Sequence, residues 1–219
     1  MCSVRDLTTT TMAGYKLTYF DFRGRADLIR LLFVSAGIEF EDIRISLDEW
    51  PALKLKTPCG RLPILEFGGT TLSESRAIAR YVAKETNQYG KDNIEQARVD
   101  MITDVADDLM MGIMKAYWQK NQSDQDEMMK THFQQESLKT LALLETFLVE
   151  NNGGDGFFVG DKLTMADIYL FVVTEPFLAK NPSCFKDTPK LAALRQRVQE
   201  VPQIAEWLPN RPERFSAIM

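Results

Sequence analysis

Cysteine and histidine are scarce in this 219-residue chain, which limits the chemistry that it can perform. The three cysteines, Cys2, Cys59 and Cys184, lie far apart in sequence and form no Cys-x-x-Cys pair. Such a set predicts neither a disulfide framework nor a zinc site. His132 is the only histidine. No nearby residue resembles a second metal ligand, so we interpret His132 as a solvated residue on a helix.

An excess of basic residues and long apolar runs are also lacking. The formal net charge is -5, whereas a protein that binds nucleic acid through its phosphates is expected to carry a basic surface. No apolar run approaches the roughly 20 residues that a membrane-spanning helix needs, and no signal-peptide pattern is present. We therefore expect a cytoplasmic protein that binds neither nucleic acid nor membrane.

Residues 15–86 alternate between strand and helix patterns, after a threonine-rich stretch at 1–14 that predicts a loose tail. The predicted elements are a strand at 16–20, a helix from 25 to 37, a strand at 40–45, a short helix near 50, a β-hairpin at 64–72 and a helix at 75–85. This β-α-β then β-β-α order predicts an α/β domain with a thioredoxin-like sheet over residues 15–86.

A polar break at residues 87–93, NQYGKDN, is interpreted as a linker to a region of helical periodicity. We predict an all-helical second domain over 94–219, with helices at 94–119, 124–150, 164–179 and 189–200. Thr164 and Asp167 have the spacing of a capping box and precede a very apolar run. The helix that begins there is predicted to form the buried centre of this domain.

The stretch from Cys59 to Ser75, CGRLPILEFGGTTLSES, combines a proline before a strand with a hairpin and a helix start. A cis peptide bond at Leu62-Pro63 would expose backbone groups to a ligand. The helix N-terminus at Ser75 favours binding of a carboxylate. Together these features fit an extended peptide-like ligand, with Glu74 beside its ammonium group. An ordinary hairpin followed by an ordinary capped helix remains the alternative.

The chain resembles the cytosolic glutathione S-transferases over about residues 15–215. Within that family it is most similar to the sigma class, which includes a glutathione-dependent prostaglandin D synthase. The motifs that carry the resemblance are YKLTYF followed by RGRA at 15–26, Trp50-Pro51 with Lys54, GRLPIL at 60–65, SRAIARY at 75–81 and the box at 164–167.

The resemblance implies that Tyr19 is the catalytic residue and that its hydroxyl binds the glutathione sulfur. A thiol with a pKa near 8.5 is only about 3% ionised at pH 7, yet the thiolate is the nucleophile. One charge-assisted hydrogen bond of about 1.5–3 kcal/mol would lower the thiol pKa by about one to two units. A strand aromatic packed in the core is the alternative reading of Tyr19.

Further roles in glutathione binding follow from the same resemblance. Trp50 and Lys54 would hold the glycyl end, the backbone of Leu62 before Pro63 would pair with the cysteinyl backbone, and Arg25 would steady the thiolate. Sigma-class proteins usually carry Gln where this chain has Glu74, which weakens the assignment to that class. The full predicted set also includes Gly60, Arg61, Ser75 and, from the partner subunit of a homodimer, Asp108.

Asp100, Asp104, Asp107 and Asp108 fall on one face of the helix predicted at 94–119. Like charges at this spacing destabilise a helix, so a counter-charge is expected. The resemblance suggests a Mg²⁺ site at Asp104, Asp107 and Asp108, with a solvated acidic face as the alternative.

The second substrate, an apolar electrophile, is expected in a pocket lined by Phe20, Arg25, Met110, Met111 and Met114. Thioethers adapt to varied apolar shapes, although ordinary core packing would explain the methionines equally well.

The sequence therefore predicts a homodimeric glutathione transferase with glutathione as co-substrate, a detoxification role and a possible peroxidase side activity. A prostaglandin D synthase is one alternative, although Lys115 stands where those enzymes carry an aromatic residue. A non-catalytic, crystallin-like ligand-binding protein is the other. A thiol-disulfide oxidoreductase is excluded, because residues 20–25 contain no cysteine.

Overall fold

The computed structural model describes residues 14–213 and confirms the predicted order of elements over that range. The tail predicted at 1–14 lies outside the described residues except for its last residue. The strands are β1 (Tyr15–Phe20), β2 (Phe40–Ile45), β3 (Ile64–Phe67) and β4 (Thr70–Ser73). The helices are α1 (Asp27–Ser35), α2 (Trp50–Lys54), α3 (Ser75–Glu85), α4 (Asn93–Tyr117), α5 (Gln122–Thr131), α6 (Ser137–Glu150), α7 (Met165–Lys180), α8 (Pro189–Gln199) and α9 (Pro202–Trp207).

The four strands form one mixed sheet in the order β2-β1-β3-β4. β1 pairs in parallel with β2 and antiparallel with β3, and β3 pairs antiparallel with β4. Gly68 and Gly69 join β3 to β4 with φ values of 50° and 78°. Two successive positive φ angles give a turn whose twist matches that of the flanking strands, so the predicted hairpin is confirmed.

The helices pack their apolar faces against the sheet, and in the helical part of the chain they pack around α7. α1 and α3 pack against each other, and α7 contacts both of them as well as α4 and α8. Residues of α7 are buried on all of its faces, as predicted for the central helix. The fully buried residues of the sheet, α1 and α3 include Leu17, Leu65, Ile29, Leu32, Ile78 and Val82. Within residues 14–213 no helix has both the length and the hydropathy needed to cross a membrane.

The capping box at the start of α7 is confirmed. The Asp167 carboxylate accepts a hydrogen bond from the Thr164 backbone N–H at 2.7 Å and one from the Phe158 N–H at 2.8 Å. The Thr164 side chain binds the first turn in return. These bonds satisfy N–H groups at the start of the helix and, at Phe158, in the loop that precedes it.

The helix predicted at 124–150 is confirmed as one continuous helical stretch from Gln122 to Glu150, but a π-helical turn at His132–Glu136 divides it into α5 and α6. His132, interpreted above as solvated, is in fact buried, and its Nε2 lies 2.8 Å from the Leu109 carbonyl oxygen of α4. Gly112 leaves room for the imidazole, since a Cβ there would come within 2.0 Å of it. Burial lowers the pKa of His132, which keeps the ring neutral at pH 7.

Candidate active site

A cavity of about 580 Å³ lies where β1 and α1 face α4 and α7. This volume is within the range of small-molecule sites. Its apolar lining comprises Phe20, Phe22, Leu28, Met110, Met114, Tyr117, Trp118, Tyr169, Val172, Pro176 and Ala179. Polar groups also line it, including Tyr19, Arg25, Ser75 and Asp107. The cavity can therefore take an apolar molecule and present a few polar groups to it.

Tyr19 is placed at the cavity wall by the end of β1. Its ring packs edge-on against Phe20 and Phe22, with centroids 5.5 Å away in each case. The hydroxyl oxygen accepts a hydrogen bond from the Arg25 backbone N–H at 3.2 Å. Within residues 14–213 no acceptor binds the hydroxyl's own proton, so that proton is available to a ligand.

Burial raises the pKa of the Tyr19 hydroxyl. The hydrogen bond from the Arg25 N–H and the charges of Arg25 and Arg30 oppose this rise, but burial is the larger cause. Tyr19 is thus protonated at neutral pH. It can donate a hydrogen bond to a ligand atom, and it does not act as a base.

Gly24 is the residue that lets the Arg25 N–H approach the tyrosine. Its φ is +46°, and a Cβ at this position would lie 2.7 Å from the Tyr19 hydroxyl oxygen. Side chains other than glycine rarely adopt such a conformation. The glycine in the motif RGRA therefore has a steric role beside the hydroxyl.

The stretch from Cys59 to Ser75 has the predicted backbone features. The Leu62-Pro63 peptide bond is cis. Glu74 has a φ of 70° and a ψ of 110°, an unusual conformation for a residue with a side chain, and Ser75 begins α3. A positive φ at a residue with a side chain, as at Glu74, is frequent at ligand sites. Because Ser75 also lines the cavity, the N-terminus of α3 lies on the same side of the molecule as Tyr19.

The α2 segment lies next to this stretch. The Trp50 ring packs edge-on against Phe20, with centroids 5.7 Å apart. A Cβ on Gly60 would be 3.8 Å from Lys54 Cε, so the lysine side chain runs beside that turn. Arg61 and Glu74 form an exposed ion pair at 3.6 Å. Trp50, Lys54, Gly60, Arg61 and Glu74 do not line the cavity itself.

The acidic face of α4 has the expected counter-charges, which come from α3. Arg76 contacts Asp104 at 2.7 Å and Asp107 at 3.1 Å, and Arg80 contacts Asp100 at 2.6 Å. Tyr169 also donates a hydrogen bond to Asp107. Burial and the adjacent Asp107 charge raise the pKa of Tyr169.

The predicted magnesium site at Asp104, Asp107 and Asp108 has no support in the structure. Over residues 14–213 no group of three or more His, Cys, Asp and Glu side chains is arranged to hold a metal ion. The physical reason is that Arg76 already neutralises Asp104 and Asp107. Asp107 is buried at the cavity, whereas Asp108 is exposed.

Two family profiles match the chain. The one described as "Glutathione S-transferase, N-terminal domain" matches residues 15–84, and "Glutathione S-transferase, C-terminal domain" matches residues 107–211. The chain belongs to the glutathione S-transferase family. Members of this family are enzymes that use glutathione as co-substrate, so enzymatic activity is supported for this chain as well.

Relatives similar to this chain carry different names. Hematopoietic prostaglandin D synthase from Gallus gallus is 40% identical, and S-crystallin SL11 from Nototodarus sloanii is 39% identical. These alignments cover 92% and 91% of this chain and 98% of each relative. Among solved structures, monomeric Na-GST-3 from Necator americanus has a TM-score of 0.83 at 40% identity, covering 91% of this chain and 98% of its own. The likeness supports the sigma-class resemblance.

The structure brings together only part of the predicted electrophile pocket. Met110 and Met114 line the cavity with Phe20 and Arg25, but Met111 does not. Met111 belongs instead to an adjoining shallow groove. The reason is its position on α4, where it faces about 100° away from Met110.

Several lining residues were missed by sequence reasoning. Phe22, Trp118, Val172 and Pro176 line the cavity, and Glu175 lies at its wall. A run of three aromatic residues at 19–22, interrupted only by Asp21, was the available signal for Phe22. No local pattern pointed to Glu175.

Proposed function

We propose that this chain activates the thiol of glutathione through Tyr19 and transfers it to apolar electrophiles bound in the cavity. The observation that carries the proposal is the buried, protonated Tyr19 hydroxyl at the cavity wall. It accepts from the Arg25 N–H, and its own proton has no acceptor within residues 14–213. A glutathione sulfur placed beside it would therefore receive a hydrogen bond.

The strength of that bond accounts for thiol activation. A charge-assisted hydrogen bond of about 1.5–3 kcal/mol stabilises a thiolate by about one to two pKa units. The thiol pKa would fall from about 8.5 to about 7, so that roughly half of the bound thiol is ionised at neutral pH. Arg25, which lines the same cavity, adds a positive charge near the sulfur.

The stretch around the cis bond and α3 supports a binding mode for the rest of glutathione. The γ-glutamyl carboxylate would bind the N-terminus of α3 at Ser75, with Glu74 accepting from the adjacent ammonium. The cysteinyl backbone would pair with Leu62. Lys54, with Trp50 beside it, would bind the glycyl carboxylate as a point charge. Gly60 and Arg61 complete this side of the proposed site.

The apolar lining contributed by Met110, Met114 and Val172 supports an apolar second substrate. Peroxidase side activity would follow if the thiolate attacks a hydroperoxide: the O–O bond breaks, an alcohol leaves, and the glutathione sulfenic acid condenses with a second glutathione to give the disulfide and water.

Prostaglandin D synthase activity is a second candidate, favoured by the 40% identity to the chicken enzyme. Lys115, a cation at the adjoining groove, speaks against it. A crystallin-like role without catalysis is less consistent with the presence of Tyr19, Lys54 and Ser75.

The test is the ultraviolet thiolate absorbance of bound glutathione, titrated from pH 5 to 9, for wild type and Tyr19→Phe. We expect a thiol pKa well below 8.5 in wild type and a return toward 8.5 in the variant. Unchanged glutathione affinity in the variant would show that only activation is lost. An unshifted thiol pKa in wild type would refute the mechanism.

The proposal includes a cytoplasmic homodimer in which Asp108 of one copy reaches the glutathione of the other. The exposed position of Asp108 on α4 supports such a contact. The similar hookworm structure is described as monomeric, so the oligomeric state is a separate question. Sedimentation equilibrium of wild type and Asp108→Asn measures the oligomeric state, and a glutathione titration of both measures affinity. A wild-type monomer with full glutathione affinity would contradict the proposed role of Asp108.

A further inference from the structure

The loop that supplies the Arg25 N–H to Tyr19, here called the tyrosine loop (residues 21–25), is bound from two sides. On one side the fully buried Arg30 donates to the carbonyl oxygens of Phe22 at 3.0 Å and of Arg23 at 3.4 Å. Arg30 is itself paired with Asp42 at 2.9 Å. This side lies within the α/β part of the chain.

On the other side the loop is bound by the carboxyl-terminal segment. The Arg23 N–H donates to the Glu213 carbonyl oxygen at 3.0 Å, and Arg23 Nε donates to that of Pro212 at 2.9 Å. The Arg23 guanidinium also pairs with Glu175 of α7 at 3.0 Å. A residue adjacent to Gly24 is therefore attached to segments that lie about 150 to 190 positions away along the chain.

Four charged side chains form this second attachment, here called the charge cluster (Arg23, Asp27, Glu175 and Arg211). Arg211 contacts both Glu175 and, at 3.4 Å, Asp27. The side chains of Asp27, Glu175 and Arg211 are buried. Two arginines and two carboxylates give the cluster no net formal charge. Buried ion pairs add little stability compared with apolar packing, but removing one partner leaves the other charge buried without compensation.

We propose that Glu175 and Arg211 are positioning residues for thiol activation: by fixing Arg23 they keep the Arg25 N–H against the Tyr19 hydroxyl. The inference rests on the proposed role of Tyr19. Neither residue touches the sulfur. They act through the two peptide bonds that separate Arg23 from Arg25, and through the hydrogen bond that polarises the hydroxyl.

The main test uses Glu175→Gln, which keeps the shape of the side chain and removes its charge. We expect the pKa of the bound glutathione thiol to rise by about half a unit to one unit, the equivalent of one weakened neutral hydrogen bond. At pH values below the thiol pKa, the kcat/KM for a model electrophile should fall about three- to tenfold. The glutathione Kd should stay within about twofold, because the glutathione-binding groups proposed above lie outside the cluster.

Arg211→Lys provides a second variant that retains the positive charge, and it should restore part of the thiol pKa shift relative to Arg211→Met. Combining Glu175→Gln with Arg211→Met should give less than the sum of the single effects, because both act through Arg23. Circular dichroism and urea unfolding establish that each variant is folded before it is titrated.

The matched control is Asp100→Asn, which removes the ion pair between α3 and α4 at Arg80 without touching the tyrosine loop. It should leave the thiol pKa unchanged, and an equal rise in this control would mean general loosening and overturn the inference. A lowered thiol pKa in wild type that is unaltered in Glu175→Gln would overturn the inference alone. An unshifted thiol pKa in wild type would overturn the proposed function as well.

Discussion

Replacing Gly24 by alanine perturbs Tyr19 without altering the tyrosine itself. A Cβ at residue 24 would lie 2.7 Å from the Tyr19 hydroxyl oxygen, 3.0 Å from its ring Cε1 and 3.1 Å from Phe22 Cε2. These contacts are too short for carbon, so either the hydroxyl or the tyrosine loop must move. In both cases the Arg25 N–H and the hydroxyl separate.

Two free-energy costs follow from Gly24→Ala, and they act on different quantities. The left-handed backbone at φ +46° costs an alanine about 1–2 kcal/mol of folding stability. The displaced hydroxyl loses a charge-assisted hydrogen bond to the thiolate of about 1.5–3 kcal/mol, which raises the thiol pKa by about one to two units. At pH 6.5 the ionised fraction of bound glutathione, and kcat/KM with it, should fall by about 8- to 80-fold for a rise of one to two units.

Gly37→Ala is the matched control, because Gly37 also has a positive φ, +66°, but nothing lies within 4 Å of its Cβ position. Both variants should lose stability in urea unfolding through the positive φ, and Gly24→Ala should lose more because its Cβ also meets Tyr19 and Phe22. Only Gly24→Ala should raise the thiol pKa in an ultraviolet titration. Glutathione affinity should change little in either. The reasoning is refuted if Gly24→Ala titrates like wild type, or if Gly37→Ala reduces kcat/KM equally.

Two further predictions concern buried carboxylates. Asp167→Ala leaves the N–H groups of Phe158 and Thr164 without an acceptor, at a cost of about 1–3 kcal/mol each. Urea unfolding should therefore show a loss of stability of about 4 kcal/mol. A loss below about 1 kcal/mol would contradict the capping role. Burial raises the pKa of Asp27 from 3.8 to about 6, against the opposing charge of Arg211. The folded state thus binds the Asp27 proton more tightly than the unfolded state. This carboxyl's contribution to stability should therefore fall by about 2 kcal/mol as pH rises from 4 to 6. Asp27→Asn should abolish that part of the pH dependence in unfolding experiments, and a variant with the wild-type dependence would contradict the assignment.

Features that depend on local chain chemistry could be predicted from the sequence. The bounds of β2 and α3 follow from alternation and helical periodicity, and they agree with the structure. Gly68-Gly69 specified the hairpin because only glycine supplies two positive φ angles readily. The capping box at Thr164 and Asp167 is equally local, since its hydrogen bonds join residues three positions apart.

Features that depend on distant partners could not be predicted. His132 is polar, and its burial required an acceptor at Leu109 and space at Gly112, both about 20 residues earlier in the chain. Glu175 is buried because Arg23 and Arg211 neutralise it from opposite ends of the chain. A sequence pattern records neither kind of compensation, so a buried polar group and a solvated one look alike.

The acidic face of α4 links the rule against neighbouring like charges on a helix to the arrangement of the proposed active site. Like charges four residues apart require neutralisation, and the rule correctly predicted a counter-charge without naming its source. The sources are Arg76 and Arg80 of α3. Arg76 follows Ser75 at the N-terminus of α3 and pairs with Asp104 and Asp107 of α4. The helix end proposed to bind the glutathione carboxylate is thus attached to the helix that carries Met110 and Met114. By pairing with the acidic face, Arg76 therefore also links the proposed glutathione site on α3 to the apolar wall that α4 forms opposite Tyr19. A cation bound from solvent would neutralise the same charges without joining the two helices.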